Sequence, residues 1–512
     1  MGRKREFRWL LASCLIAGGV GADPSRVAAA SATLPSRTAV LSTLNLVADY
    51  ARRQYPANTE AYWDHGVYHI GMMALYDITR RSDALAYTTA FGDYNGWMLD
   101  RGGTANLHNR LAAGQSWIAA HAATPRAAID DTRTEVAAQT AASLAAVTSA
   151  AYFAVDAQFM ALPAFAMLDK LDGNTSYGNR LHDLYTYNRT TLGLYDATAR
   201  LYYRDASYIF PAKQTPNGKK LFWSRGNGWA LATLARVLTE LPLSDPARAE
   251  YVVALNQMSG ALKTVQRADG FWNMSLYDAN HYPGPETSGT ALFVYGMAWG
   301  INNGLLSKST YLPVVARAWN GMVRLAVHPD GKLGYVQGIG QAPVPTRQVS
   351  YESTADFGVG VFLLAGSEVA RLAVDGERYE TEDLPTVVSA GDSQQDTGDA
   401  GASGGRYSRG VLDASTDYIQ YSATLATPGT YNVKVRFGKA GDLGRWQFYT
   451  AGVNVGMPQD AFGSAFMFTE VSLGDVIYDT AGKKVFRFTT TGRNAASAGY
   501  GTAIDYVMLT KR

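Results

Sequence analysis

Cysteine is almost absent: the 512 residues hold one, Cys14, so no disulfide can form within the chain. The seven histidines form no HExxH motif and no cluster at metal-ligand spacing. There is no phosphate-cradling GxxxxGK[ST] and no serine-centred GxSxG. The sequence therefore implies no metal and no cofactor. Charge of one sign is also missing, with 46 basic against 44 acidic residues, no basic stripe and no like-charge block. That balance speaks against a nucleic-acid partner. Beyond the N-terminus no apolar run approaches the ~18 residues of a membrane span.

The first residues read as an export signal. Arg3, Lys4, Arg5 and Arg8 precede a short apolar stretch, Trp9 to Ala22, that ends in small residues. The pattern predicts a signal within 1–32, cleaved near Ala22 or in the alanine-rich run before Thr33, and a periplasmic or extracellular protein. Leu11-Ala12-Ser13-Cys14 resembles a lipoprotein cleavage site, so anchoring through Cys14 is the alternative. The very short apolar run before Cys14 favours ordinary secretion.

Six segments then share one grammar, a polar or Gly-rich opening followed by a strongly apolar helical run: 63–77, 108–122, 155–171, 224–242, 286–306 and 353–372. Being apolar on most faces, these helices are expected to be buried. An amphipathic helix precedes each, at about 38–55, 82–97, 130–150, 176–192, 245–267 and 310–327. Six buried helices alternating with six amphipathic ones predict an all-α (α/α)6 six-hairpin toroid over 36–374. Its inner helices all run one way, so their openings meet at one mouth, where helix N-termini favour an anionic ligand. The alternative is an irregular helical bundle.

From 375 to 512 the character changes. GDSQQDTGDAGASGG (391–405) reads as a loop, and short alternating stretches follow at 418–425, 430–438, 445–452, 483–492 and 502–509. They predict a smaller all-β, jelly-roll-like sandwich that a strand from Tyr379 to Glu382 must help close. Trp446, Tyr449 and Tyr500 there are either sugar-stacking residues or core.

Three openings carry candidate chemistry. Asp156, between Val155 and Ala157 at the head of a buried helix, is either a general acid whose pKa burial raises or a helix cap. Arg225 and Trp229, in Ser-Arg-Gly-Asn-Gly-Trp, lie four apart on one face of a helix start. They suit a carboxylate and a sugar ring, or else they are a packed Trp and a solvated Arg. Tyr203-Arg204-Asp205 with Tyr208 either walls the mouth or is a surface loop.

VDAQFMALPAFAML, FWSRGNGWALATLARVLTELP, PETSGTALFVYGMAWGINNGLL and GVYHIGMMALYD together resemble glycoside hydrolase family 105, the unsaturated rhamnogalacturonyl hydrolases. That family is related to the unsaturated glucuronyl hydrolases of family 88. The resemblance covers roughly 40–372. It implies the (α/α)6 fold and an acidic oligosaccharide substrate whose terminal uronic acid carries a C4=C5 double bond. A carboxyl protonates C4, water adds at C5, and the hemiketal collapses to release the next sugar. On this resemblance Asp156 is the acid, Arg225 and Trp229 are substrate contacts, and Arg204 stands where many members have histidine. Many members carry a second aspartate five residues before the Gly of a GQ or GK pair. Here that position is Asn109, which can bind a hydroxyl but cannot act as a base. The tail resembles, more weakly, the carbohydrate-binding sandwiches of exported polysaccharide enzymes, with a structural appendage as the other reading.

Two further readings compete. A polysaccharide lyase on the same toroid would draw on His65, Tyr68 and His69. A non-catalytic glycan-binding protein would need none of the site intact. Were Asp156 not the acid, Glu286 and Asp205 are the next carboxylates.

Overall fold

The computed structural model describes residues 30–99, 107–127, 129–145, 153–173, 176–340, 348–373, 376–425 and 427–512. The export-signal residues, Cys14 among them, lie outside these.

Twelve α-helices fill the first part of the described chain. Six are the apolar set: α2 (Trp63–Thr79), α4 (Leu107–Ala123), α6 (Asp156–Asp172), α8 (Ser224–Glu240), α10 (Thr287–Asn302) and α12 (Asp356–Leu372). They pack in the order α2, α4, α6, α8, α10, α12, and α12 closes back on α2. The amphipathic set lies outside this ring: α1 (Arg37–Gln54), α3 (Ser82–Asn95), α5 (Ile129–Ala145), α7 (Ser176–Thr186), α9 (Arg248–Lys263) and α11 (Lys308–Leu325). Burial follows the pattern. From Thr287 to Ile301 every residue of α10 is buried, whereas α1 buries only the stripe Val40, Leu44, Val47, Ala48 and Ala51. No helix among the described residues is long and apolar enough to cross a membrane.

The inner helices run parallel, the N-terminal half of each meeting the N-terminal half of the next. Gly289 of α10 lies against Ser224 and Arg225 of α8, and Gly66 of α2 lies against the backbone of Ala112 and Ala113 of α4. Gln115 of α4 donates to the carbonyls of Phe159 and Met160 of α6 at 2.7 and 3.1 Å. The closing seam between α2 and α12 depends on two glycines. A Cβ on Gly71 would stand 2.2 Å from the Gly360 oxygen, and one on Gly360 would stand 2.3 Å from the Val67 oxygen. Gly360→Ala is expected to destabilise the toroid by ~1–3 kcal/mol, the usual cost of overpacking a dense interior. Thermal unfolding measures this, and an unchanged midpoint would show that the seam can open without penalty.

After α12 ends at Leu372, all regular structure among the described residues except one 3-10 turn is β. Strands β1 (Tyr195–Asp196) and β2 (Leu201–Tyr202) form a small hairpin within the helical part. The tail holds β3 (Glu377–Glu380), β4 (Thr386–Val388), β5 (Ser393–Gly398), β6 (Arg406–Val411), β7 (Tyr418–Leu425), β8 (Gly429–Lys439) and β9 (Arg445–Thr450). It continues with β10 (Val453–Asp460), β11 (Met467–Tyr478), β12 (Gly482–Gly492) and β13 (Thr502–Lys511). One sheet runs β10-β9-β12-β7-β4 and the other β11-β8-β13-β6-β5, with β3 also paired to β13. The pairings are antiparallel. Residues 391–405, expected to be a loop, contain β5. It is an edge strand, so its polar side chains meet solvent and it lacks the alternation of a half-buried strand. The closing strand is present two residues earlier than expected, as β3. Trp446 belongs to the core: its ring lies edge-on to Phe437 at 4.9 Å and to Phe488 at 5.1 Å. Tyr449 and Tyr500 are half-buried.

Candidate active site

Asp156 is the first residue of α6. The residue before it, Val155, already has helical φ and ψ of −58° and −31°, and no side chain caps this end. The carboxyl is therefore free of the capping role that a helix-start aspartate often plays. Its Oδ1 is buried and has no hydrogen-bond partner, while 24% of the side chain is open to solvent. Burial raises its pKa to about 6 against the pull of Arg204 and Arg225, with Asp205 adding to the rise.

Backbone pairing brings the next residues to it. Val155 donates to the Arg204 carbonyl at 2.9 Å, and Ala154 bridges to Asp205. Asn227 of α8 grips the other side of this segment: it accepts from Tyr202 N–H at 2.8 Å and donates to the Tyr202 carbonyl at 2.9 Å. The segment is thus stapled between two inner-helix starts and walls the mouth. Arg204 Nε stands 3.9 Å from Asp156 Oδ2 and has no hydrogen-bond partner. The Arg204 guanidinium lies 5.1 Å from the ring centre of the exposed Phe153. Asp205 is held anionic: burial pushes its pKa up, but bonds from Ser207 and Arg204 outweigh that and leave it lowered. Its Oδ1 accepts from Ser207 N–H at 2.8 Å and Ser207 Oγ at 2.6 Å.

Arg225 is deeper than expected of a solvent-facing clamp, at 1% exposed. Its Nη1 donates to the Gln337 carbonyl at 2.5 Å, and Nη2 to the carbonyls of Gly338 and Gly340 at 3.1 and 3.4 Å. The guanidinium lies between the Trp223 and Phe357 rings, 4.8 and 5.0 Å from their centres. Glu286 caps α10, accepting from Ser288 N–H at 2.9 Å and Gly289 N–H at 2.7 Å. It also accepts from Gln337 N–H at 3.2 Å, so it ties the α10 start to the segment that Arg225 holds. A carboxylate so committed is a structural cap.

The site's aromatic floor differs from the expected one. Trp229 is 1% exposed, 4.7 Å from Phe159 and edge-on to Trp63 at 6.4 Å. Trp63 is half-open at the mouth and also meets Phe357 at 5.0 Å. Asn109 is half-buried in the first turn of α4, at the same end of the ring. Of the three lyase candidates, two are core. His69 stacks on Phe91 at 4.2 Å, and burial drives its pKa down to about 3. Tyr68 is buried against Tyr55 and Tyr87. His65 alone reaches the mouth, with 29% of its side chain exposed and Nδ1 2.5 Å from Asp356 Oδ2.

The family model for Glycosyl Hydrolase Family 88 matches residues 38–373. The chain belongs to glycosyl hydrolase family 88. A relative in Formosa agariphila, named unsaturated 3S-rhamnoglycuronyl hydrolase, is 39% identical over 223 residues, 42% of this chain and 57% of that one. The family 88 chain spans about half the length of the curated relatives it matches. Among solved structures, a family 88 glycosyl hydrolase from Bacteroides vulgatus superposes with a TM-score of 0.61 at 34% identity, covering 66% of this chain and 99% of that one. A structure described as a polysaccharide lyase matches with the same TM-score and identity, covering 66% and 98%.

Several residues of this family 88 mouth escaped the sequence reading: Trp63, Asp64, Phe153, Gln337 and Asp356. Trp63, Asp64 and Asp356 stand in the polar openings of the first and last inner helices, so the rule that located Asp156 covered them too. Phe153 and Gln337 lie in irregular segments, where no periodicity marks them. Asp64, His65 and Asp356 have ligand-type atoms all within 4.8 Å of one another, a grouping that could hold a cation; a second, Asp392, Asp413 and Asp417, lies in the sandwich.

Proposed function

We propose that this chain is an exported hydrolase that removes the 4,5-unsaturated uronic acid from the non-reducing end of acidic oligosaccharides left by polysaccharide lyases. The observation that carries the reading is Asp156: a buried carboxyl at the mouth, half-protonated near pH 6, with an unpartnered oxygen and two arginines close by. Its proton goes to C4 of the double bond, leaving an oxocarbenium at C5 that the ring oxygen stabilises. Water bonds to C5 and returns a proton to the Asp156 carboxylate. The C5 hemiketal then opens to a ketone, and the hemiacetal so formed at C1 expels the next sugar. The names of the curated relatives support rhamnose as that next sugar. The basic and apolar residues of 1–32 support export.

The lyase reading has one observation in its favour, the equal likeness to a structure described as a lyase. Burial of Tyr68 and His69 leaves it only His65 of its three candidates. The unsaturated-uronide absorbance separates the two: incubation with lyase-digested pectin or rhamnose-containing uronan lowers it for the hydrolase, and incubation with the intact polymer raises it for a lyase.

The pH profile follows from the acid. Only protonated Asp156 can donate, so kcat declines as pH rises through about 6, approaching tenfold per unit above it. A kcat that climbs through pH 6 to 8 would mean that the group works as a base.

A further inference from the structure

Two neighbours at the mouth are left unmet. Asp156 Oδ1 and Arg204 Nε are both buried, and neither has a hydrogen-bond partner. The carboxyl and the guanidinium approach to 3.9 Å, Nε to Asp156 Oδ2, about 1 Å short of a charge-assisted hydrogen bond. Leaving a buried donor and a buried acceptor unpaired beside each other is costly, and a swing of that size would pair them. The guanidinium is gripped elsewhere. Its Nη1 donates to Asp205 Oδ2, and it rests 5.1 Å from the ring centre of Phe153. Asp205 is itself fixed. Its Oδ1 caps the 3-10 turn Ala206–Tyr208 through the Ser207 N–H, and its backbone bridges to Ala154, two residues before Asp156. One oxygen of Asp205 thus serves the turn and the other serves Arg204. The hydration of the double bond uses neither.

We propose that Asp205 is a positioning residue that anchors Arg204 by Nη1 and so keeps Nε from closing on Asp156. The inference rests on the reading of Asp156 as the proton donor, and adds the device that preserves it as one. A carboxylate bonded by a guanidinium is stabilised as the anion and has no proton to give near neutral pH. Held at 3.9 Å, the same cation acts on Asp156 through space without bonding it. The charged groups that act on Asp156 are Arg204 and Asp205 from this segment and Arg225 from α8. Arg225 cannot take the place of Arg204, because its Nη1 and Nη2 are given to the carbonyls of Gln337, Gly338 and Gly340. Arg204 is the cation with a donor still unused, and Asp205 decides where that donor stands.

Asp205→Asn separates the two duties in the full chain. The asparagine oxygen still caps the turn, while its amide nitrogen cannot accept from Nη1. Asp205→Ser does the same with a shorter side chain, and serves if the first variant misfolds. Crystal structures of wild type and variant read where Arg204 stands. Infrared difference spectra across pH, with Asp156→Asn as the blank, read the protonation of Asp156 with no substrate present. Loss of absorbance of lyase-generated oligosaccharides gives kcat against pH. In the variant, Nε is expected within hydrogen-bond distance of Asp156, and the Asp156 midpoint should fall from about 6 by about one pH unit. At pH 7 kcat should then drop about tenfold, with little change on the acid plateau, whereas damage to the scaffold would lower the whole profile. An unmoved midpoint overturns the assignment. So does a midpoint that falls while Arg204 stays in place, because Asp205 would then act by its own charge. If neither variant folds, Asp205 is a structural residue and the assignment is equally lost. If Arg204 and the midpoint move but no oligosaccharide loses absorbance in wild type, the anchor stands and the hydrolase reading fails. If wild type turns substrate over while Arg204 and the midpoint are unmoved in the variant, the hydrolase reading stands and the anchor fails.

Discussion

Asp156→Asn is expected to lower kcat by ~10²–10⁴-fold while the protein stays folded and still binds its oligosaccharide. Asparagine matches the shape of aspartate and preserves an acceptor, but it has no proton to deliver to a vinyl ether carbon. Folding is spared because the carboxyl caps no helix and its Oδ1 bonds to nothing. Relief from burying a titratable group works, if anything, in favour of stability. The loss exceeds that of an ordinary general acid if the same group also takes the proton of the attacking water. The measurement is kcat by loss of absorbance, with circular dichroism to verify the fold. A folded variant keeping more than about a tenth of wild-type kcat, well above that range, would assign the acid elsewhere. Glu286 and Asp205 are poor substitutes: one caps α10, and the other is fixed as an anion by Ser207 and Arg204.

The second large effect is at Arg225. Removal of its side chain is expected to lower kcat/KM by ~2–4 kcal/mol, the range for losing a buried charge-assisted partner. The structure adds two consequences. The carbonyls of Gln337, Gly338 and Gly340 lose their donor, so this wall loosens and thermal stability falls as well. The positive charge that restrains Asp156 also disappears, so the Asp156 pKa rises and the alkaline limb of the kcat profile moves to higher pH. Arg225→Lys keeps the charge but not the planar fork. It should therefore hold the limb nearer its original place while still loosening the wall. Wild-type kcat/KM in Arg225→Ala would remove the residue from the site.

What could be read from the sequence depended on burial. The ring was legible because its six inner helices are apolar on most faces, and 36–374 repeats that signal six times. In the sandwich, the five strands anticipated from alternation, β7, β8, β9, β12 and β13, are all interior to their sheets. Those that went unread include all four sheet edges: β4, β5, β10 and β11. Interior strands must alternate to bury one face, whereas edge strands carry polar residues and turns that hide them. β6 is the exception, an interior strand whose Arg406, Arg409 and Gly410 mask the pattern. At the site, sequence could name Asp156, Arg204 and Arg225 but not their depth. Whether an arginine faces solvent or three backbone carbonyls is decided by residues more than a hundred positions away. The same holds for Trp229, which the floor of the ring covers with Trp63.

The closed ring also fixes when a working mouth can exist during synthesis. The bond between His65 and Asp356 joins positions 291 apart in the chain, and the glycine seam beneath it joins the first inner helix to the last. Nearly the whole helical part must have emerged before α12 can meet α2. Until then α2 exposes one apolar flank, and the residues on its first turn have no opposite wall. Contacts of this range are slow to form in general, and an open crescent with an uncovered apolar flank is the kind of species that aggregates. The tail follows the helices in the chain, so the sandwich emerges only after the helices needed to shut the ring.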